Sequence, residues 1–121
     1  MSLVKPQLKS DAILIACLCA DWCRTCEAYH ATFAELREQN PGLRFVWVDI
    51  EDDAELVGDL EVETFPTLLI GVGEQLRFLG PVLPQAASAQ RMIDAMLAPD
   101  AKPGAAGPAA QALLTRLQYS C

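Results

Sequence analysis

The sequence predicts an α/β domain built on a mixed sheet with helices on its faces. Two short, continuous apolar runs flank a segment of helical period, which is the signature of a βαβ unit. Two further β-rich runs lie so close together that they must pair antiparallel, and an amphipathic helix follows them. The order is β-α-β-α-β-β-α with an appended helix, a βαβ unit followed by a ββα unit.

Residues 12–19 (AILIACLC) are apolar throughout, as expected of a strand buried on both faces inside a sheet. From Cys23 to about Gln39 the period becomes helical, with Tyr29, Phe33 and Leu36 sharing one face and Glu27, Glu35 and Glu38 lying elsewhere. Asn40-Pro41-Gly42 stops that helix. Residues 43–50 (LRFVWVDI) are rich in β-formers and give the second buried strand. Glu51-Asp52-Asp53 suits a helix start, because negative charge is favoured there, and a short helix then runs through Leu56, Val57 and Leu60.

Residues 67–70 read as the third strand, Val72-Gly73 as a tight turn, and 75–79 as the fourth strand. Residues 88–97 make an amphipathic helix with Met92, Ile93, Met96 and Leu97 on its apolar face. Residues 99–108 (PDAKPGAAGP) are a linker by composition, and 109–119 form a last helix through Leu113, Leu114 and Leu117. The expected division is therefore a domain over 1–98 and a linker with a helical tail over 99–121.

Composition narrows the partners. The 121 residues are 52% hydrophobic, enough for one core. Sixteen acidic against nine basic residues leave a net charge of −7, which argues against nucleic acid or an anionic membrane surface as partner. No apolar run approaches the ~20 residues of a membrane span. Leu14-Ile15-Ala16-Cys17 looks like a lipoprotein processing box, but the apolar run before that cysteine is short and Asp11 borders it. Five cysteines, an odd number, do not suit a secreted disulfide framework and fit a reducing compartment. The expectation is a cytoplasmic monomer.

Chemistry concentrates at Trp22-Cys23-Arg24-Thr25-Cys26, where the first strand hands over to the first helix. Two cysteines three apart on an opening helical turn can come close enough for a disulfide. Free N–H groups and the helix dipole favour a thiolate at the first, and Arg24 adds positive charge while Asp21 opposes it. Cys23 is then the nucleophile and Cys26 the resolving thiol. The same spacing is also half of a zinc site, completed by Cys17 and Cys19 or by His30, and an inert structural pair is a third reading. The βαβ setting favours redox chemistry with no metal or organic cofactor. Cys17 and Cys19 share one strand face and read as small buried apolar residues. His30 reads as solvated surface, Trp47 as core, and Met92 and Met96 as helix packing. Cys121 stands at the C-terminal end of the sequence, with no role assigned to it.

Residues 13–26 (ILIACLCADWCRTC) resemble the strand, Trp-Cys-x-x-Cys motif and helix of the thioredoxin family. Residues 48–70 (VDIEDDAELVGDLEVETFPTLLI) resemble that family's second-strand aspartate, acidic helix start and Pro-Thr strand, and the likeness covers roughly 12–97. The resemblance implies a thioredoxin-like fold and thiol–disulfide exchange with protein substrates, kept reduced by an unidentified reductase. It implies a cis-proline at Pro66 facing the cysteines, with Phe65 and Thr67 beside it, and a groove-lining glycine at Gly80. Trp22, Arg24 and Thr25 complete the implied substrate surface.

The departures are specific. Cys17 stands where the family usually has a buried aspartate serving proton transfer, and Trp47 where its lysine partner often lies. Losing both together is coherent, since a buried carboxylate left unpaired is costly. Cys19 replaces one residue of the family's tryptophan-rich run, and Arg-Thr replaces the usual Gly-Pro between the cysteines. A redox-sensing or partner-binding module with little turnover is the alternative that these changes favour.

Overall fold

The computed structural model describes residues 13–20, 22–98 and 107–119. Four strands make one sheet in the order β2-β1-β3-β4: β1 Ile13–Cys19, β2 Arg44–Asp49, β3 Thr67–Val72 and β4 Gln75–Pro81. β1 is parallel to β2 and antiparallel to β3, and β3 is antiparallel to β4. The mixed α/β architecture is the one the sequence predicts. The helices among the described residues are α1 Arg24–Gln39, α2 Ala54–Val57, α3 Ala86–Met96 and α4 Pro108–Tyr119.

β1 is the centre of the molecule. It is paired on both edges, and from Leu14 to Cys19 its side chains are inaccessible to solvent. Side chains alternate across a strand, so β1 feeds two separate cores. Leu14, Ala16 and Leu18 meet Val57 of α2 and Leu113, Leu114 and Leu117 of α4. Ile15, Cys17 and Cys19 meet Tyr29, Phe33 and Leu36 of α1 and Ala89 and Ile93 of α3.

Three local expectations are revised. The β3–β4 turn is Gly73-Glu74 rather than Val72-Gly73, and Gly73 takes φ 62°, a left-handed conformation that glycine adopts without steric cost. The acidic stretch 51–53 builds a turn before it starts a helix. The Asp49 carboxylate accepts the N–H groups of Glu51 and Asp52 at 2.8 and 2.9 Å. The Asp53 carboxylate accepts the Asp49 N–H at 3.0 Å and so is not a cap, and α2 is a single turn ending before Leu60.

The third revision is the largest. The last helix, expected as an appendage beyond residue 98, supplies four of the eleven buried residues of one core. Ala110, Leu113, Leu114 and Leu117 are at most 1% exposed, and burying each leucine contributes about 1.5–3 kcal/mol. Gly71 of β3 explains how α4 comes so close: a Cβ there would collide with the Leu114 side chain. Polar ties hold both ends. Gln111 and Gln118 donate to the Glu74 and Gly73 carbonyls at 2.7 and 2.9 Å, and Arg116 donates to the Leu56 carbonyl at 2.8 Å. The Pro108 placed in the linker opens α4, where a missing N–H costs nothing; residues 99–106 lie outside the described residues.

Candidate active site

The site forms where β1 ends and α1 begins. Cys23 is the N-cap of α1, in an extended conformation (φ −88°, ψ 121°). Its N–H donates to the Ala20 carbonyl at 3.0 Å, and its own carbonyl accepts the Glu27 N–H at 3.0 Å. No side chain caps this helix, so the orphan first-turn N–H groups are not drawn to a capping oxygen. Cys23 is half-buried, with its side chain against the sulfur-bearing core, while Arg24 and Thr25 are exposed.

Cys26 is only 2% exposed. It lies three residues before Tyr29 on the face of α1 turned to the sheet, the face that Phe33 shares. There it is bonded to Cys19, the last residue of β1, with a Cα–Cα separation of 5.7 Å. This corrects the expected Cys23–Cys26 pairing: the disulfide present is Cys19–Cys26, and Cys23 is a free thiol. The physical reason is orientation. Cys19 and Cys26 are both buried in the layer between β1 and α1, whereas Cys23, at the N-cap before the first helical residue, packs against that layer and is only half-buried.

Cys17, also read as an ordinary buried residue, places its sulfur 3.8 Å from that of Cys19. A disulfide sulfur carries no proton, so the Cys17 S–H is the donor. Burial pushes the Cys17 thiol far above its ordinary value of 9.0, which keeps it neutral. Burial also raises the Tyr29 phenol, with a smaller contribution from Cys17, and the Tyr29 hydroxyl has no hydrogen-bond partner among the described residues. Cys17 and Trp47 are partners in the β1–β2 register, so the two departures from the family's charged pair are neighbours. Trp47 is half-buried and stacks on His30 with ring centroids 3.7 Å apart, so the exposed His30 is held rather than freely solvated. These two rings, with Ala20, Cys26 and Glu27, line a pocket of about 230 Å³.

The Phe65–Pro66 peptide bond is cis, and Pro66 is buried. Phe65 packs against the core that contains Cys19 and Cys26, and its ring and that of Trp22 lie edge-to-face with centroids 5.7 Å apart. Trp22 is 64% exposed, and its indole N–H donates to Glu51 at 3.1 Å, which ties the cysteine turn to the acidic turn after β2. Thr67 is buried and its hydroxyl donates to the Thr64 carbonyl. Thr67 and Gly80 line a different pocket, of about 230 Å³, with Glu61, Glu63 and Pro81 among its walls and no cysteine. The structure thus gathers Trp22, Cys23, Cys26 and Phe65 at one place, while Gly80 lines this other pocket. Among the described residues, no three His, Cys, Asp or Glu side chains are grouped to hold a metal ion.

Comparison with known proteins bears on the family and the fold. The sequence model of the thioredoxin family matches residues 4–93. The chain belongs to the thioredoxin family. Among curated thioredoxins, it is 33% identical over 61 residues to thioredoxin C-3 of Corynebacterium nephridii, covering 50% of this chain and 42% of that protein. It is 28% identical over 69 residues to mitochondrial thioredoxin-3 of Saccharomyces cerevisiae, covering 57% and 54%. The chain matches between 37% and 54% of the length of such curated relatives. The fold is that of solved thioredoxins. Oxidised yeast mitochondrial thioredoxin 3 superposes with a TM-score of 0.61 at 22% identity, over 74% of this chain and 83% of that one. The short form of spinach chloroplast thioredoxin F gives 0.63 at 17% identity, over 80% and 88%.

Cys19 is the residue that sequence reasoning missed. Its strand parity with Cys17 was legible, but the side of the sheet that α1 would cover was not.

Proposed function

We propose that the protein is a thiol–disulfide oxidoreductase acting on protein substrates through Cys23. The observation that carries this reading is the free, half-buried Cys23 thiol at an uncapped helix N-terminus, beside the Trp22–Phe65 contact and Pro66. The Cys23 thiolate attacks one sulfur of a substrate disulfide and expels the other, forming a mixed disulfide. With Cys26 reduced, its thiolate then attacks the Cys23 sulfur and releases the second substrate thiol, leaving a Cys23–Cys26 disulfide for an external reductase to reduce. Exposed Trp22, Arg24 and Thr25 supply the surface met by the substrate chain, and cysteine usage favours the cytoplasm as its compartment.

Reduction of insulin by dithiothreitol tests this. The protein should accelerate insulin precipitation catalytically, and Cys23→Ser should return the rate to that of dithiothreitol alone. A wild-type protein without turnover sinks the reading.

A second reading, a redox-responsive partner-binding module, is favoured by Cys17 and Trp47 in place of the family's proton-transferring pair. It is supported if oxidation of the protein's own thiols is stoichiometric and insulin turnover is absent.

A further inference from the structure

Two other cysteines, Cys19 and Cys23, belong to or pack against the buried cluster that holds Cys26. Cys19 holds it in a disulfide at the end of β1, and Cys23 precedes it by one helical turn and packs against the same cluster of buried side chains. The two are not equivalent. Cys19 and Cys26 are 0% and 2% exposed, whereas Cys23 is half-buried. Cys17 is specific to the Cys19 side, its S–H directed at the Cys19 sulfur from 3.8 Å.

We propose that Cys19 is a third redox cysteine, and that oxidising equivalents arriving at Cys23–Cys26 pass inward to Cys19–Cys26 by intramolecular exchange. The Cys19 thiolate attacks the Cys26 sulfur, the Cys23–Cys26 bond breaks, the Cys19–Cys26 bond forms, and Cys23 leaves as a thiolate. One S–S bond is exchanged for another without net oxidation, and the proton lost by Cys19 balances the one regained by Cys23. The neutral Cys17 thiol stabilises the Cys19 sulfur by hydrogen bonding while it carries negative charge. The consequence rests on the reading of Cys23 as the substrate-facing thiol: the oxidised protein stores its disulfide in the core and still presents a reactive Cys23. A second substrate disulfide met in that state is held as a mixed disulfide, because Cys26 is occupied and cannot resolve it.

Disulfide mapping of the 121-residue chain tests the exchange, with Cys121→Ser to exclude intermolecular bonds. Reduced protein is oxidised with oxidised glutathione, quenched in acid, alkylated in denaturant and digested. Cleavage before Asp21 separates Cys17 and Cys19 from Cys23, and cleavage after Arg24 separates Cys23 from Cys26. The expected map links Cys26 to Cys19 in at least tenfold excess, with Cys23 alkylated. In Cys19→Ala the bond should move to Cys23–Cys26, and native-state labelling of Cys23 by iodoacetamide should slow at least tenfold. Cys26 bonded to Cys23 in the wild type overturns the proposal, as does failure of a folded Cys19→Ala protein to form Cys23–Cys26. If Cys19→Ala does not fold, the wild-type map decides.

Insulin turnover separates the two readings. Turnover with Cys26 linked only to Cys23 removes the inward exchange and keeps the enzyme. The expected map without turnover does the reverse.

Discussion

The two faces of the sheet are built from the same strands and do different work. The face under α2 and α4 is aliphatic: Leu14, Ala16, Leu18, Val48 and Leu69 meet three leucines of α4. The face under α1 and α3 carries the sulfur and the rings, with Cys17, Cys19 and Cys26 among Tyr29, Phe33 and Trp47. It also tolerates a buried hydroxyl with no partner among the described residues, at Tyr29. Apolar burial without polar atoms is the cheapest source of stability, so one face supplies it while the other carries groups that cost something to bury. A single central strand links them, because alternate residues of β1 belong to opposite cores.

The sharpest way to break this division is to remove α4. A chain ending at residue 98 loses three leucines from the aliphatic core, roughly 5–9 kcal/mol, comparable to the whole stability of a small domain. It should lack a cooperative urea transition; a native-like transition would show that α4 is dispensable after all. Next in size, Leu114→Ala should cost about 2–5 kcal/mol in urea unfolding. The reduction potential of the cysteines should not move, and a shifted potential would mean that the two faces are coupled.

On the other face the expected effects are smaller and depend on pH. The fold holds Cys17 neutral, while in the unfolded chain its thiol ionises near the ordinary value of 9.0. The unfolded state therefore releases the proton first as pH rises. The stability linked to this group is complete below about pH 9 and falls above it, by about 1.4 kcal/mol per pH unit. Urea midpoints from pH 8 to 10.5 should converge between wild type and Cys17→Ala as the wild type loses stability faster. Parallel curves would show that Cys17 ionises as easily in the fold as outside it. Smallest of all, Tyr29→Phe removes a buried hydroxyl that has no partner among the described residues and should be neutral or stabilising by up to about 1 kcal/mol. A clear loss of stability would reveal that the hydroxyl is bonded in solution.

Much of this was legible in the residues. The continuous apolar run 12–19, the helical spacing of Tyr29, Phe33 and Leu36, and the close third and fourth strands give the mixed sheet directly. The Trp-Cys-x-x-Cys turn at the strand-to-helix junction was visible for the same reason, since local pattern is encoded locally. The acidic stretch misled because Asp49 and Asp53 use their carboxylates on backbone N–H groups of a turn, a competition that charge alone does not show. The tail misled because Pro, Gly and Ala mark a flexible connection without saying whether the helix beyond it returns to the core.

The sequence by itself determined the order of strands and helices, the alternation along β1 and the placing of four cysteines around one turn. Only the tertiary structure decided which of them face each other. Periodicity says which residues share a face, but not which element covers that face or how near it lies. Packing α1 across β1 brought Cys19 to Cys26, and the absence of a side chain at Gly71 let α4 complete the opposite core.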